Sequence, residues 1–262
     1  MTEMFSLIPG DHAAIRFATA REFADNAVDF ARRGLTLGGQ ILIFPAVADL
    51  GGAQERITGD RALREAVSRG HVRTSVMAPA GGSLDTARLR EQYRQATASA
   101  VEAGYTGLWV TADTTWVRPL ADAEALIHFE AGSHALFSTG RLTALCQYDT
   151  GCFDERDLRR AFQAHPTCVA GCRLRFHHYP GPALLVVVGD TDLSNSVAFA
   201  HLIGDHDRST IDISGMGFVD GAGLSLLARR TRRTGTAPLR CTTDQAQLLR
   251  LLGADPAGLE LT

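Results

Sequence analysis

The sequence predicts an α/β protein in two units: a larger one over residues 1–170 with a mostly parallel sheet, and a smaller one over residues 172–262. Three observations lead there. Short apolar, β-branched runs alternate with amphipathic segments along the first 168 residues, which is the pattern of strand–helix–strand units. Between Thr167 and Pro182 the pattern lapses into glycine, two cysteines, paired histidines and two prolines, setting a boundary near Gly171. With 262 residues, 45% of them hydrophobic, either part can bury a core of its own.

In the larger unit residues 13–18 read as a strand, 21–33 as a helix, 40–44 as a strand, 61–69 as a helix and 72–77 as a strand. Asp85 is an N-cap candidate for a long helix in which Leu89, Tyr93, Ala96 and Ala100 share one face, ending near Gly104. Residues 107–111 form a buried-type strand, Asp122 opens a helix to about Ser138, and residues 142–147 are a strand. Asp154 caps a helix that stops near His165, because a residue before proline is pushed out of the helical region.

In the smaller unit residues 183–189 are a strong strand, 196–202 a short helix, 210–213 a strand, and 215–223 a flexible glycine-containing loop. A helix over 222–234 follows, then a strand over 239–242. Asp244 with Gln247 fits a capping box for a helix through Leu252, and residues 259–261 close a β-β-α-β-α-β-α-β order.

The net charge of −3 argues against a partner bound through bulk positive charge, so nucleic acid is not expected. All 26 basic residues are arginine. Without lysine there is no Walker-A lysine, Schiff-base lysine or lysine general base. No apolar run approaches the roughly 18 residues of a membrane span, and the first ten residues lack a signal-peptide pattern, so the expectation is a cytosolic protein. Five irregularly spaced cysteines read as thiols.

Residues 212–227, DISGMGFVDGAGLSLL, resemble the signature of STAS domains, the family of bacterial anti-sigma-factor antagonists. That resemblance implies a sheet with helices on one side, and a loop on which a serine-kinase anti-sigma factor docks and phosphorylates a hydroxyl. Here Gly221 and Ala222 stand between Asp220 and Gly223, and neither carries an oxygen. The usual switch, nearly two negative charges added at a helix amino terminus, therefore has no acceptor in that turn. The turn GDTDLS, with Asp190 and Asp192, resembles the second docking segment of the family. Asp192, Asp220, Gly221, Ala222 and Gly223 are the contact residues this implies.

The larger unit resembles the MEDS family, a sensory domain similar to a RecA/KaiC-type fold without its nucleotide loop. The strings that carry the likeness are Gly10-Asp11-His12, ARRGLTLGGQILIF, Trp116, Phe129-Glu130, LTALCQYD and Ala164-His165-Pro166. The sheet topology favours a ligand at the carboxyl ends of the strands. Phe17, Phe44, Pro45, Asp113, Trp116, Gln147 and Tyr148 stand there, with Glu130 and His12 converging. His12, Trp116, Glu130 and Tyr148 are the ligand-binding candidates. The alternative is that Trp116 and Tyr148 complete a core and that Glu130 pairs with an arginine such as Arg118.

Other motifs carry less. Cys146, Cys152, Cys168 and Cys172 with His165, His177 and His178 offer zinc-ligand types, but structural zinc usually takes C-x2-4-C knuckles, whereas Cys146 lies in a predicted strand interior and Cys152 follows it by six positions, so no metal is expected. His128-Phe129-Glu130 with Pro166-Thr167-Cys168 and Cys172 misses the zinc-deaminase signature by one position in both proline and cysteine spacing. Gly215 to Asp220 lacks the third glycine of a dinucleotide fingerprint, and Gly223 to Leu227 the final glycine of a nucleophile elbow. Arg229, Arg230, Arg232 and Arg233 suit a helix carboxyl end and a solvated outer face.

The combined expectation is a signalling regulator, not an enzyme and without a cofactor. The smaller unit would bind an anti-sigma factor or kinase-like protein, and the larger would supply small-ligand input or a homodimer surface. A small-molecule-binding protein or enzyme built on the larger unit is the alternative.

Overall fold

The computed structural model describes residues 6–77, 84–120, 122–169, 173–180, 183–233 and 235–262. The expected boundary at Gly171 lies outside them. Strands β1 (His12–Phe17), β2 (Gln40–Phe44), β3 (Val72–Thr74), β4 (Leu108–Asp113), β5 (Leu142–Asp149) and β6 (Thr167–Cys168) build a six-stranded sheet in the order β3-β2-β4-β5-β1-β6, all parallel. Connections run through helices α1 (Ala20–Thr36), α2 (Leu50–Gly59), α3 (Arg61–Ser68), α4 (Thr86–Glu102), α5 (Ala123–Ala131) and α6 (Glu155–Gln163).

Successive strand side chains point to opposite faces, so each strand feeds two cores. Ala13 and Phe17 of β1, Ile41 and Ile43 of β2, Trp109 of β4 and Leu145 of β5 gather with Phe23, Phe30, Ile57 and Leu63 under α1, α2 and α3. On the other face Leu108, Val110, Leu142 and Ala144 pack with Ala100 of α4 and Phe137. Beside them Ala14 and Tyr148 meet Leu126 of α5 and Leu158 and Ala161 of α6. Each fully buried Leu, Ile or Phe contributes roughly 1.5–3 kcal/mol.

The second sheet contains β7 (Leu174–Pro180), β8 (Ala183–Thr191), β9 (Thr210–Val219), β10 (Leu239–Cys241) and β11 (Leu259–Leu261) in the order β11-β10-β9-β8-β7. β7 is antiparallel to β8, and the remaining pairs are parallel. Helices α7 (Ser196–Asp205), α8 (Gly221–Thr231) and α9 (Thr243–Leu251) cover one face, where Leu185, Val187, Ile211, Ile213 and Leu239 meet Phe199, Leu202, Leu227 and Leu249.

Several elements differ from the sequence expectation. Residues 215–219 are strand, not loop: β9 runs unbroken to Val219, with register shifts against β8. A Cβ on Gly215 would lie 2.7 Å from Val188 Cγ1, so that glycine serves strand irregularity and close approach rather than flexibility. The capping box of α9 is Thr242 with Gln245, two residues earlier than Asp244 with Gln247. α2 has no counterpart in the periodicity because it is short and weakly amphipathic, and β6 and β7 fall where the pattern lapses. α5 stops at Ala131 and a separate short turn, His134–Leu136, follows. Arg230 is not on the outer face: it is 2% exposed, and its guanidinium donates to the carbonyls of Ala237 at 2.8 Å and Ser209 at 2.9 Å.

The two sheets meet through polar contacts beside the ends of the first. Asp11, 2% exposed, accepts from Arg175 Nε at 2.8 Å and Nη2 at 3.1 Å, joining the residue before β1 to β7. Pro166 O accepts from Leu174 N at 3.0 Å and from Asn195 Nδ2 at 3.2 Å. Val197 of α7 packs against Ile127, Ala131 and Ala164. Removing one partner of a buried, two-pronged pair leaves the other charge poorly solvated. Asp11→Ala is therefore expected to lower unfolding free energy by about 2–3 kcal/mol in urea titrations; a change below about 0.5 kcal/mol would show that the pair holds nothing together.

Candidate functional site

A phosphate-binding loop needs length and free amide groups between a strand and the next helix. The β1–α1 connection offers two residues, Ala18 and Thr19. Thr19 Oγ1 accepts from Glu22 N at 3.2 Å, and the Glu22 carboxylate accepts from Ala18 N at 2.7 Å. The helix end is thus closed by its own cap, and an acidic group sits where a phosphate would have to lie.

The chemistry-bearing groups collect instead on the sheet face beneath α5. The pleat puts His12 of β1 and Cys146 and Tyr148 of β5 on that face, Glu130 descends from α5, and His165 follows the end of α6. His12 Nε2 lies 3.2 Å from Glu130 Oε2 and 3.6 Å from Cys146 Sγ. Cys146 Sγ lies 3.9 Å from Glu130 Oε2, and His165 Nε2 is 3.7 Å from the same oxygen. Tyr148 donates its hydroxyl to Glu130 Oε1 at 3.3 Å. His12 stacks on Phe137 with ring centroids 4.3 Å apart.

Water is largely excluded here, and burial decides the charge states. It lowers His12 to about 3 and, together with the neighbouring His12, lowers His165 to about 4 against the pull of Glu130. Burial raises the Glu130 carboxyl, opposed by His165, Tyr148 and Arg90, and pushes the Cys146 thiol well up. Both imidazoles are accordingly neutral near neutral pH, so the His–Glu contacts are not ion pairs there, although their distances would suit ion pairs.

His12, Glu130 and Cys146 line a cavity of about 50 Å³ whose other walls are mostly apolar and aromatic, with Trp116, Tyr93, Phe129 and Val117 among them and Thr114 and Ser133 the remaining polar residues. A water molecule needs roughly 10–15 Å³ by this measure, so the space suits a ligand of a few heavy atoms. Of the expected ligand-binding residues, His12, Trp116 and Glu130 meet at this cavity; Tyr148 stands behind Glu130 as its hydrogen-bond donor. Glu130 does not pair with Arg118, which reaches Asp157 at 3.5 Å and lies over the Phe153 ring.

The cavity runs along the sheet face, from His12 and Leu142 at the starts of β1 and β5 to Thr114, Trp116 and Val117 just past the carboxyl end of β4, so only part of the expected strand-end set reaches it. Phe17 faces the α1 side, and Gln147 bonds Asn26 and Thr111 there. Sequence reasoning missed Cys146 and His165 as partners of His12 and Glu130. The available signal was the alternation that puts Cys146 and Tyr148 on one face; the four positions are otherwise scattered from 12 to 165. Cys152 is exposed, Cys168 is buried near Phe162, and neither joins the cluster; Cys172 lies outside the described residues.

The expected partner-contact residues sit at the start of α8. Asp220 is its N-cap and accepts from Gly223 N at 2.8 Å. Gly221 and Ala222 are exposed, while Gly223 is buried, where an added Cβ would lie 2.8 Å from Val219 Cγ1 and 3.3 Å from Thr191 Cγ2. Asp192 follows β8 and accepts from Ser194 N at 2.7 Å. Leu193, 68% exposed, and Phe218, 54% exposed, belong to the same two segments as Asp192 and Asp220.

Tyr148→Phe is expected to cost about 1 kcal/mol, since it deprives a buried carboxyl of its donor; an unchanged denaturation midpoint would show Glu130 to be satisfied without it. Asp220→Ala is expected to cost about 1 kcal/mol through loss of the cap, read as a drop of a few degrees in Tm.

Compared with known families, residues 11–166 match the model of the MEDS domain, described as the methanogen/methylotroph, DcmR sensory domain. The match covers more than half of the 262-residue chain and takes in every residue of the buried cluster. No curated protein matches the chain. Among the described residues no helix is long and apolar enough to cross a membrane. The chain therefore belongs to the MEDS family of sensory domains.

Proposed function

We propose that this chain is a signalling regulator. Its first sheet takes up a small, largely apolar molecule with one polar group, and its second offers a docking surface of STAS type to an anti-sigma factor or kinase-like protein. The observation that carries the first half is the cavity itself: mostly apolar walls that include Trp116, with His12, Glu130 and Cys146 grouped together in the lining. A small apolar pocket with a few convergent polar groups is the usual form of a small-molecule site. The sensory character of the family supports the same reading.

Two features support the second half. The element order β7-β8-α7-β9-α8-β10-α9-β11 agrees with the one expected of a STAS domain. The α8 amino end presents Gly221 and Ala222 to solvent, in segments that also expose Phe218 and Leu193. No hydroxyl stands in the turn 220–223, so docking there would not be reversed by phosphorylation of that turn.

Coupling between the halves has a physical route. His12 follows Asp11, which grips Arg175 of β7, and His165 precedes Pro166, whose carbonyl is held by Leu174 and Asn195. A ligand that shifts either imidazole pulls on a residue anchored in the second sheet.

Thermal-shift screening of the full chain with a panel of small alcohols, thiols, amines and halogenated hydrocarbons is expected to give a saturable rise in Tm with at least one member, lost in Trp116→Ala. No rise across the panel would contradict the sensory reading. In pull-downs from the native host, Ala222→Arg is expected to remove the bound regulatory protein through bulk and charge. Retention of that protein, or a phosphate located in residues 220–223 by intact-mass and peptide analysis, would contradict the docking reading.

A further inference from the structure

We infer that His12, Glu130, Cys146 and His165 form a four-ligand site for a divalent transition-metal ion, zinc being the first choice. The four ligand atoms, two imidazole nitrogens, one thiolate sulfur and one carboxylate oxygen, all lie within 4.8 Å of one another. Zinc bonds of about 2.0–2.3 Å in a tetrahedron require ligand-to-ligand edges of roughly 3.3–3.7 Å. The separations here are 3.2, 3.6, 3.7 and 3.9 Å along four of the six edges, and the other two, from His165 to His12 and to Cys146, are within 4.8 Å, so an ion would draw the donors in by about an ångström at most.

Three independent features favour an ion over a self-contained hydrogen-bonded cluster. His165 donates Nδ1–H to Ala161 O at 2.8 Å, which fixes the tautomer and leaves the Nε2 lone pair directed at the cluster. That Nε2 atom, fully buried, has no hydrogen-bond partner, and neither has His12 Nδ1. An unsatisfied buried nitrogen is costly, and a metal ion supplies what His165 Nε2 lacks. The charges also close: a dication, one thiolate, one carboxylate and two neutral imidazoles sum to zero, the condition under which charged groups are tolerated in a dry interior.

The donor set selects the metal. A thiolate with two imidazoles disfavours magnesium and calcium, which prefer all-oxygen shells, and suits zinc or cobalt(II). Tyr148, donating to Glu130 Oε1, is the outer-shell partner that orients the carboxylate. His12, Glu130 and Cys146 also line the cavity, so the ion would form part of its wall and give a small thiol or nitrogen ligand an atom to bind. This site goes beyond the sensory reading and does not depend on it.

The full chain, loaded with zinc and dialysed against metal-free buffer, is expected to retain about one ion per chain by mass spectrometry. Replacement by cobalt(II) is expected to give d–d absorption of tetrahedral intensity and a thiolate-to-cobalt charge-transfer band. Cys146→Ser should abolish that band, His165→Gln should alter the d–d bands, and Cys152→Ser, at the exposed thiol, should change neither; circular dichroism checks folding of each. Wild-type protein that holds less than about a tenth of an equivalent of zinc overturns the assignment. So does a charge-transfer band that survives Cys146→Ser. If Cys146→Ser fails to fold, the wild-type metal content and His165→Gln decide alone. A metal-free protein that still responds to the small-molecule panel would remove the metal site and leave the sensory reading standing.

Discussion

Burying Glu130 constrains everything around it. A carboxyl withdrawn between a sheet face and α5, 5% exposed, must be met by groups that can share a proton or a cation with it. The fold meets it from four elements: β1 brings His12, β5 brings Cys146 and Tyr148, α5 carries Glu130, and the end of α6 brings His165. The parallel sheet makes this feasible because β1 and β5 are neighbours in register, with His12 opposite Ala144 and Ala14 opposite Cys146. Placing those side chains on one face is a consequence of the pleat alone.

The same geometry ties the cluster to the rest of the chain. Each histidine is one residue away from an anchor in the second sheet: Asp11 on Arg175, and Pro166 on Leu174 and Asn195. The second sheet in turn extends β9 to Val219 and ends it at the Asp220 cap, so the α8 amino end is held at a fixed place on a rigid strand. A site on rigid elements holds its geometry better than one on loops. The helix end is closed from below by buried Gly223 and open above at Gly221 and Ala222.

Much of this was legible in the sequence because local chemistry carried it. Alternating strands and helices gave the α/β class, and the caps at Asp85, Asp122 and Asp154 are those the structure contains. His12, Trp116 and Glu130 were singled out together and do converge. Where reading failed, a non-local contact decided. Gly215 looked like loop because glycine's commonest role is in turns, yet here it admits Val188 across a strand irregularity. Arg230 looks like surface because its neighbours do; only the carbonyls of Ser209, 21 residues back, and Ala237, seven residues on, reveal it as buried. Cys146 and His165 were weighed against nearby cysteines, whereas their partners lie across the sheet, at a sequence separation that spacing rules do not cover.

The convergence of four donors on one point is the claim from which the site's chemistry follows, and X-ray absorption at the zinc edge of the loaded full chain tests it most directly. The account requires one sulfur at about 2.3 Å and three nitrogen or oxygen neighbours at about 2.0–2.1 Å, with imidazole scattering from two rings. A shell without sulfur, or one with two sulfurs, would place the ion elsewhere and contradict it.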